Sequence, residues 1–465
     1  MVKYVTLLYT KIVKQPSNKL FQLKGTHIMF FYYVTLAKKS LLQTPITTAL
    51  MVLAIALGIG ISMNALTLNH VRSADPIPEK SKQLFALQLQ TMNKAGTRHT
   101  YDDMPLQVTY QDAINIQRSA PPARHISLLE TGFAIQTEDP DFIPILQAAR
   151  ATQSDFFAMF NVEFLYGGPW SKEIDENPDN QVVIAEELNE KLFGGGDNVG
   201  KNIYLNQQAY RVIGISKSWQ PKPRFYDVNT GAFRDSEQVF VPFSLIPIHN
   251  YPSWGNNNGW KNEKIETYQD KLNSESMWIQ YWVELESSTK KQDFTNFLSS
   301  YVEQQKKLGR FERDDARGTL RNVETWLEYN EVVGDDSNIL VGITFMFLAV
   351  CLINTVGLLL AKFLKRAPEI GVRRALGANQ AQVFLQHLVE VGLLGLLGGL
   401  LGLVIANIGL FILRNQFDGF DILATMDISM FIAAPLIAIT ATILSGLYPA
   451  WRVCTTLPSI HLKAQ

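Results

Sequence analysis

Residues Val391–Leu413 read VGLLGLLGGLLGLVIANIGLFIL, a stretch that contains no Asp, Glu, Lys or Arg. A helix needs about 20 apolar residues to cross the ~30 Å hydrocarbon layer of a bilayer, where its backbone groups must bond within the helix. Three more stretches have the same character: Ile46–Leu66, Ile339–Ala361 and Ile428–Trp451. Buried helices of soluble proteins are rarely so long and so free of charge. The sequence therefore predicts a membrane protein with four transmembrane α-helices.

The charged residues are concentrated between the first and second of these stretches. The chain has 42 basic and 43 acidic residues among 465, and most of them lie within residues 67–338. This segregation predicts a 1+3 arrangement, in which one large domain lies between the first helix and the other three. The balance of charge argues against nucleic acid as a partner, because phosphate binding needs a basic excess. Cys351 and Cys454 lie in or beside apolar stretches, and we expect buried or membrane-facing thiols.

The positions of the basic residues predict the orientation of the chain, since short cytoplasmic loops are rich in Lys and Arg. Residues 1–45 hold seven lysines and no acidic residue. The loop between the second and third stretches is also basic, with Lys362, Lys365, Arg366, Arg373 and Arg374 against Glu369. Acidic residues precede the second stretch: Glu324, Glu328, Glu331, Asp335 and Asp336. We expect a multi-pass protein of the inner membrane with both termini in the cytoplasm and residues 67–338 outside.

The N-terminal region precedes the first apolar stretch. A cleaved signal peptide is one alternative for that stretch, but a stretch that starts at position 46 favours a retained anchor. Residues 1–28 form a basic extension with no clear pattern. The following segment, 29–45, combines aromatic and basic residues and suits the membrane surface. Met29 is a candidate start residue, and peptides from residues 1–28 in mass spectra of the mature protein would exclude it.

The domain at 67–338 mixes strand and helix patterns, which indicates an α+β fold. Strands are expected at Leu84–Leu89 and Trp278–Leu285, and helices at Asp112–Arg118 and Asp293–Leu308. Residues 181–193 predict a strand followed by a helix, and the segments Asn202–Leu205 and Tyr210–Ile215 predict paired strands. Proline and asparagine predict loops at 216–241 and 249–264. Their aromatic residues either pin these loops to the domain, which we favour, or bind a ligand.

Two patterns in this domain resemble catalytic or nucleotide-binding motifs. Gly195–Asn202, GGDNVGKN, matches a phosphate loop except that Asn stands where Ser or Thr is required. It also follows a predicted helix and precedes a predicted strand, so we expect a glycine-rich turn. The histidines of the domain are scattered and form no HExxH motif: His70, His99, His125 and His249. We therefore expect no catalytic residue, no metal and no cofactor, although an enzyme in this domain is a third alternative.

Residues Arg366–Asn379, RAPEIGVRRALGAN, predict a short helix in the basic loop 362–382. Pro368 suits the first turn of a helix, Glu369 favours its positive end, and Gly377 suits its end. The apolar residues are expected against the membrane, and these are Ile370, Val372, Ala375 and Leu376. Arg373 and Arg374 are expected to face the cytoplasm or lipid phosphates. An ordinary basic loop is an equally good interpretation from these residues alone.

The transmembrane stretches carry few polar groups. Glu390 and His387 lie at the cytoplasmic edge of the third stretch, whereas ion-coupled transporters usually place acidic groups near the midplane. The third stretch has two small-xxx-small pairs, which allow close helix packing: Gly395 with Gly399, and Gly398 with Gly402. Asn354 and Thr355 could bond between helices, but local bonds within the helix are the commoner case.

Several segments resemble one known family. EIGVRRALGAN at Glu369–Asn379 is similar to the signature of MacB/FtsX-type ABC transporter permeases. Val182–Ile215 and Asp155–Gly168 resemble the family's MacB-like periplasmic core domain, and Gly446–Lys463 resembles its C-terminal end. The resemblance implies a periplasmic domain at 67–338 and an FtsX-like domain at 339–465.

The resemblance also implies partners and a function. A cytoplasmic ABC ATPase, expected here as a separate chain, would bind the coupling loop through Glu369, Ile370, Gly371, Arg373, Arg374, Leu376 and Gly377. A second permease subunit, identical or different, would complete a dimer in the lipid bilayer. A periplasmic adaptor and an outer-membrane channel are further expected partners. The implied function is export or extraction of a hydrophobic or peptide-like substrate. The alternative is a regulatory scaffold that transmits ATPase motion to a partner such as a cell-wall hydrolase.

Overall fold

The computed structural model of the protein describes residues 18–93, 104–332, 335–416 and 428–455. The chain forms two compact units. The helical unit contains the described residues up to 69 and from 335 onward, and the α+β unit contains those from 70 to 332.

The described α-helices are numbered here in chain order. They are α1 Asn18–Gln43, α2 Pro45–Ser73, α3 Tyr110–Ser119, α4 Asp155–Met159, α5 Lys172–Glu176, α6 Glu186–Phe193, α7 Ile246–His249, α8 Tyr268–Asn273, α9 Ser288–Lys307, α10 Val323–Tyr329, α11 Asp335–Lys365, α12 Ala367–Ala375, α13 Gln380–Gln416 and α14 Ile428–Cys454. The described strands are β1 Leu84–Leu89, β2 Val108–Thr109, β3 Arg124–Gln136, β4 Ile145–Thr152, β5 Phe164–Gly167, β6 Gln181–Ala185, β7 Asn202–Leu205, β8 Gln208–Ser216, β9 Val239–Pro242, β10 Met277–Glu284 and β11 Gly318–Asn322.

The helical unit contains four helices that are long and apolar enough to cross a membrane. Their apolar spans are Pro45–Ser73, Ile339–Lys365, Gln380–Asn415 and Met430–Cys454. The predicted four spans and their 1+3 order are therefore confirmed. Buried aliphatic side chains from all four helices form one core, because each helix turns part of its apolar surface toward its neighbours. Helix α1 packs against α13.

Helix α1 begins earlier than the sequence pattern indicates. It runs from Asn18 through Met29 to Gln43 without a break. The part of residues 1–28 that the structure describes is therefore helical, although its composition showed no clear pattern. Residues 1–17 and the candidate start at Met29 are not tested by this helix.

The α+β unit is built on one eleven-stranded sheet. Its main path is β11-β1-β10-β3-β4-β9-β6-β8-β5, with β2 beside β10 and β7 beside β3 and β8. Strands β1 and β11 pair antiparallel, so that Phe85 lies opposite Asn322 and Leu89 lies opposite Gly318. The predicted α+β fold is confirmed, and β1 has the predicted bounds.

Side-chain caps explain where the predicted helices begin. The Thr109 side chain accepts a hydrogen bond from the Asp112 backbone N–H, so α3 begins at Tyr110, two residues before the predicted start. Ser287 accepts from the Lys290 N–H in the same way, and α9 begins at Ser288, five residues before the predicted start. A polar residue before the apolar pattern therefore extends each helix.

The prediction of a loop across 216–241 was wrong in part. Strand β9 lies within it and pairs with both β4 and β6 in the middle of the sheet. A 3-10 helix at Phe225–Thr230 precedes it and buries Phe225 and Tyr226 completely. A strand of only four residues after a proline-rich segment gives little local signal, because its stability comes from partners distant in sequence.

Two aromatic residues of 249–264 pack against the α+β unit. Tyr251 is buried in the main core of the α+β unit. The Trp254 ring lies directly over Gly132, where an added Cβ would collide with it. Asn258 forms an isolated bridge with Met277 of β10. The segment has no regular strand, and two of its aromatic side chains attach it to the sheet.

The segment Gly195–Asn202 connects α6 to β7 and is the predicted glycine-rich turn. Gly195, Gly196 and Gly200 all have positive φ angles, which glycine adopts without strain. The Asn198 side chain donates to the Gly195 carbonyl at 2.9 Å and holds the turn closed. The structure thus has a helix before this segment and a strand after it, the reverse of a phosphate loop.

Candidate functional site

The short helix α12 follows α11 directly and precedes α13. Pro368 occupies its first turn, where the missing N–H costs no hydrogen bond. The helix ends as the Leu376 N–H donates to the Val372 carbonyl at 3.0 Å, and Gly377 then takes a φ of +103°. The chain reverses at a position that strongly favours glycine, close to the predicted end.

Helix α12 has one buried side and one exposed apolar side. Ile370 and Gly371 are buried within the helical unit. In contrast, Val372 is 48% exposed and Leu376 is 84% exposed. Ile370 therefore attaches the helix to its own unit, and the other apolar side chains are available to lipid or to another protein.

The two arginines of α12 have different environments. Arg373 is exposed and forms an ion pair with Glu369, one turn earlier, at 2.6 Å. Arg374 instead donates from Nη1 to the backbone carbonyl of Cys454, in the last turn of α14, at 2.9 Å. The expectation that both arginines face the cytoplasm or lipid phosphates stays a prediction, but the half-buried Arg374 also binds its own helical unit. Its guanidinium satisfies a carbonyl that the end of α14 leaves without a helical partner.

A buried charged cluster lies beside the start of α12. Glu390 of α13 is 1% exposed, and its Oε1 lies 2.7 Å from the Lys362 ammonium of α11. The Ser40 hydroxyl of α1 donates to the same carboxylate. Arg366, the residue before the first turn of α12, donates to the Ser40 hydroxyl oxygen. We call Ser40, Lys362, Arg366 and Glu390 the Glu390 junction.

Only part of this cluster could be predicted from the sequence. The sequence places Glu390 and His387 near the end of a predicted span. It shows Lys362 and Arg366 only as basic residues of a predicted loop. An acidic group in an apolar helix needs a buried cation, and that rule points to Lys362. No such rule points to Ser40, because a single serine in a helix expected at the membrane surface does not indicate a buried contact.

The glycines of α13 lie at two separate helix contacts. A Cβ added at Gly395 would come within 2.8 Å of Ile439 Cα in α14, and closer still to the Thr442 hydroxyl. A Cβ added at Gly399 would also meet α14, with Pro435 Cα at 2.9 Å. Gly398 and Gly402 instead face α2 and approach its isoleucines, Ile55 and Ile59. Helix α13 is thus in close contact with α2 on one side and with α14 on the other.

The polar pair in α11 does not bridge helices. The Thr355 hydroxyl donates to the Cys351 carbonyl of its own helix at 2.8 Å, and Asn354 is exposed. The local interpretation therefore holds for Thr355. Both cysteines are buried as free thiols, in agreement with the sequence.

The α+β unit contains a buried charge network that sequence reasoning missed. Its five members are almost fully buried: Glu130, Arg150, Arg224, Asp227 and Glu237. Arg150 lies 2.8 Å from Asp227 and also bonds Glu237, which Arg224 approaches at 2.9 Å. Three of these residues come from the segment predicted as a loop. No local sequence pattern marks them as buried, because their partners Glu130 and Arg150 lie on the distant strands β3 and β4.

The three carboxylates of this network could offer oxygen ligands to a metal ion. However, two buried arginines already lie among them, and the exposed Arg234 approaches Glu130 at 3.2 Å. Three cations thus balance three anions. The donor set suits arginine–carboxylate pairing, so the network needs no ion to be neutral.

Glu237 makes the stability of the α+β unit depend on pH. Burial alone raises the pKa of this carboxyl, but the charges of Arg150 and Arg224 outweigh burial and lower the pKa to about 2. A lowered carboxyl pKa stabilises the fold above the unfolded value of about 4.5. That stabilisation is lost as the pH falls through 2, and it is on the order of 3 kcal/mol.

We therefore expect the free energy of unfolding of the wild type and of Glu237→Gln to converge as the pH falls from 4.5 to 2. Chemical denaturation at several pH values, followed by tryptophan fluorescence, measures this difference. A constant difference across that range would contradict the assigned role of Glu237.

A polar cleft of about 750 Å³ lies in the α+β unit between α3, α5 and α7. Its walls carry His125, Asp155 and Lys172, and Asp155 pairs with Lys172 at 3.0 Å. Burial lowers the pKa of His125, so this imidazole is neutral near pH 7. Its Nδ1 forms a hydrogen bond of 3.0 Å with the Tyr281 hydroxyl. Asp175, at the same cleft, accepts hydrogen bonds from the Ser154 hydroxyl at 2.6 Å and the Trp170 indole at 2.8 Å.

Comparisons with known proteins agree with this architecture. The family model of the MacB-like periplasmic core domain matches residues 48–296, and that of the FtsX-like permease C-terminal domain matches residues 341–458. The macrolide export ATP-binding/permease protein MacB of Escherichia coli K12 is 23% identical over 406 residues, which is 84% of this chain and 54% of that protein. MacB of Aggregatibacter actinomycetemcomitans is 27% identical over 236 residues, 50% of this chain and 31% of that protein.

The ABC transporter permease YvrN of Bacillus subtilis is 24% identical over 311 residues, which are 66% of this chain and 68% of that protein. Among solved structures, the periplasmic region of MacB from Actinobacillus actinomycetemcomitans matches with a TM-score of 0.33 and 13% identity, covering 54% of this chain and 92% of that one. The chain spans between about a third and about half of the MacB proteins it matches. The two matched domains and the four spans in 1+3 order establish that this chain belongs to the MacB/FtsX-type family of ABC transporter permeases.

Proposed function

We propose that this chain is a permease subunit that works with a separate ABC ATPase in the cytoplasm. The ATPase docks on α12, and ATP-driven movement of the helices reaches the α+β unit outside the inner membrane. Two such permease subunits form the working dimer, with both termini of each chain in the cytoplasm. The substrate is a hydrophobic or peptide-like molecule that is exported or extracted, with the help of a periplasmic adaptor and an outer-membrane channel.

The exposed side of α12 is the observation that carries this proposal. It presents the cation Arg373 next to the apolar side chains of Val372 and Leu376. Isolated apolar side chains with a central arginine are typical of the cores of protein interfaces. The buried side of the same helix is fixed to its own unit through Ile370 and Arg374. A helix held on one side and open on the other suits the transfer of motion from a docked partner.

Photo-crosslinking tests the docking role. A photoreactive amino acid in place of Leu376 is expected to capture a phosphate-loop ATPase in cells, identified by mass spectrometry. Arg373→Glu in the same chain should lower the captured amount roughly tenfold or more, since breaking a desolvated interfacial charge pair costs about 2–5 kcal/mol.

Arg118→Glu is the matched control, because it makes the same charge change at an exposed position of the α+β unit. It should leave capture unchanged. Capture of lipid alone, or equal capture by wild type and Arg373→Glu, would contradict the docking role of α12.

A further inference from the structure

The Glu390 junction joins three helices at the place where α12 begins. Glu390 belongs to α13, Lys362 to α11 and Ser40 to α1. The Ser40 hydroxyl both donates to Glu390 and accepts from Arg366, so it relays the link to α12. Arg366 also donates to Gln43 of α1. Each of these bonds connects residues that are far apart in sequence, and none of them is needed to form a helix.

We propose that Glu390 is the positioning residue of the docking helix. It fixes the start of α12 to α1 and α13, so that a push on α12 moves these helices together. Lys362 lies in the last turn of α11, four residues before Arg366, and its ammonium is buried against the Glu390 carboxylate. The proposal rests on the docking role of α12 for its functional meaning. Its structural part can be tested on this chain alone.

Burial is what gives these contacts strength. Ser40, Lys362 and Glu390 are each at most 5% exposed. An exposed ion pair is screened and contributes little, whereas removing one partner of a buried pair leaves a charge that no water can reach. The His387 ring lies against Phe363 at 4.2 Å between ring centres, and its Nδ1 is 3.6 Å from Glu390. The His387 and Phe363 rings are thus packed beside the buried carboxylate.

The first test is hydrogen exchange of the α12 backbone in the full chain purified in detergent. Glu390→Gln preserves the shape of the side chain but weakens its bonds to Lys362 and Ser40. Ser40→Ala removes the hydroxyl that joins Glu390 to Arg366, and it leaves the Lys362–Glu390 pair and the bond from Arg366 to Gln43 in place. We expect both variants to speed exchange at Ala367–Ala375 roughly tenfold or more, because the start of α12 loses its buried anchor.

Thr355→Val is the matched control, because the Thr355 hydroxyl is buried in the same unit but bonds only within its own helix. It should leave exchange of α12 at the wild-type rate. If Glu390→Gln fails to fold, Ser40→Ala decides the test, since it leaves no unpaired charge. Wild-type exchange rates in Ser40→Ala would overturn the proposal.

The second test separates positioning from docking. Once crosslinking has identified the ATPase, the two proteins are purified and mixed without a crosslinker. The Ser40→Ala permease should bind the ATPase with wild-type affinity but stimulate its turnover several-fold less. Arg373→Glu should instead lose the ATPase while exchange of α12 stays unchanged. Loss of affinity in Ser40→Ala would overturn positioning and leave docking intact. Unchanged affinity in Arg373→Glu would remove the docking role alone.

Discussion

Replacing Arg150 with Met is expected to destabilise the α+β unit by about 3–5 kcal/mol, because three buried carboxylates then lose their central cation. Arg150 is fully buried and touches Glu130, Asp227 and Glu237. No water can replace the missing guanidinium. The free energy of unfolding, measured by denaturant titration and tryptophan fluorescence of the full chain, reports this loss. All but Trp451 of the eight tryptophans lie in this unit.

The control for this experiment is Arg234→Met. Arg234 also pairs with Glu130, at 3.2 Å, but its side chain is 52% exposed. Exposed ion pairs contribute about 0–1 kcal/mol, so the control should change little. A loss below about 1 kcal/mol for Arg150→Met, or equal losses in the two variants, would show that burial does not decide the strength of the network.

The second large effect is expected at Gly395, where alanine should destabilise the helical unit by about 1–3 kcal/mol. The added methyl group would meet the backbone of α14 at Ile439, which cannot turn away as a flexible side chain can. Gly398→Ala should be milder, because its three nearest neighbours are side-chain atoms of Ile55, with Cγ2 at 2.5 Å and Cβ at 2.8 Å, and none is a backbone atom. We expect the thermal midpoint in detergent to fall by several degrees for Gly395→Ala.

Gly357→Ala in α11 is the matched control, because a Cβ at that position meets no atom within 4 Å in the described part of the chain. A thiol-reactive fluorescent dye measures the unfolding of this unit, since Cys351 and Cys454 are both buried in it. A midpoint for Gly395→Ala at or above that of Gly357→Ala would contradict close packing between α13 and α14.

The local features of the fold could be predicted from the sequence. The spans depend on hydropathy along the chain, and α12 depends on Pro368 and Gly377 within a few residues of each other. Strand β1 has a compact apolar pattern that ends at Leu89. In each case the deciding interaction lies within one element, so the order of residues carries the signal.

Features that depend on distant partners could not be predicted. From the sequence alone, β9 and Glu237 belong to a polar loop. In the structure β9 pairs with β4, and Arg150 of β4 forms an ion pair with Glu237. In the same way, the sequence does not show that the Arg374 guanidinium donates to the Cys454 carbonyl at the end of α14. The sequence near Glu237 or Arg374 does not show whether the charge is buried or exposed. Contacts with remote segments of the chain decide it.

The pairing of β1 with β11 has a mechanical consequence. Strand β1 follows α2 and strand β11 precedes α11, and their antiparallel register places both connections at the same end of the ladder. If the two connections are pulled apart, the load enters both strands at that one end, and the ladder is peeled from Phe85 and Asn322 toward Leu89 and Gly318. The hydrogen bonds run perpendicular to the strands, so peeling breaks them one by one, whereas a load applied at opposite ends would strain them together. The first and last described strands of the unit thus form the joint at which its sheet would begin to open under force.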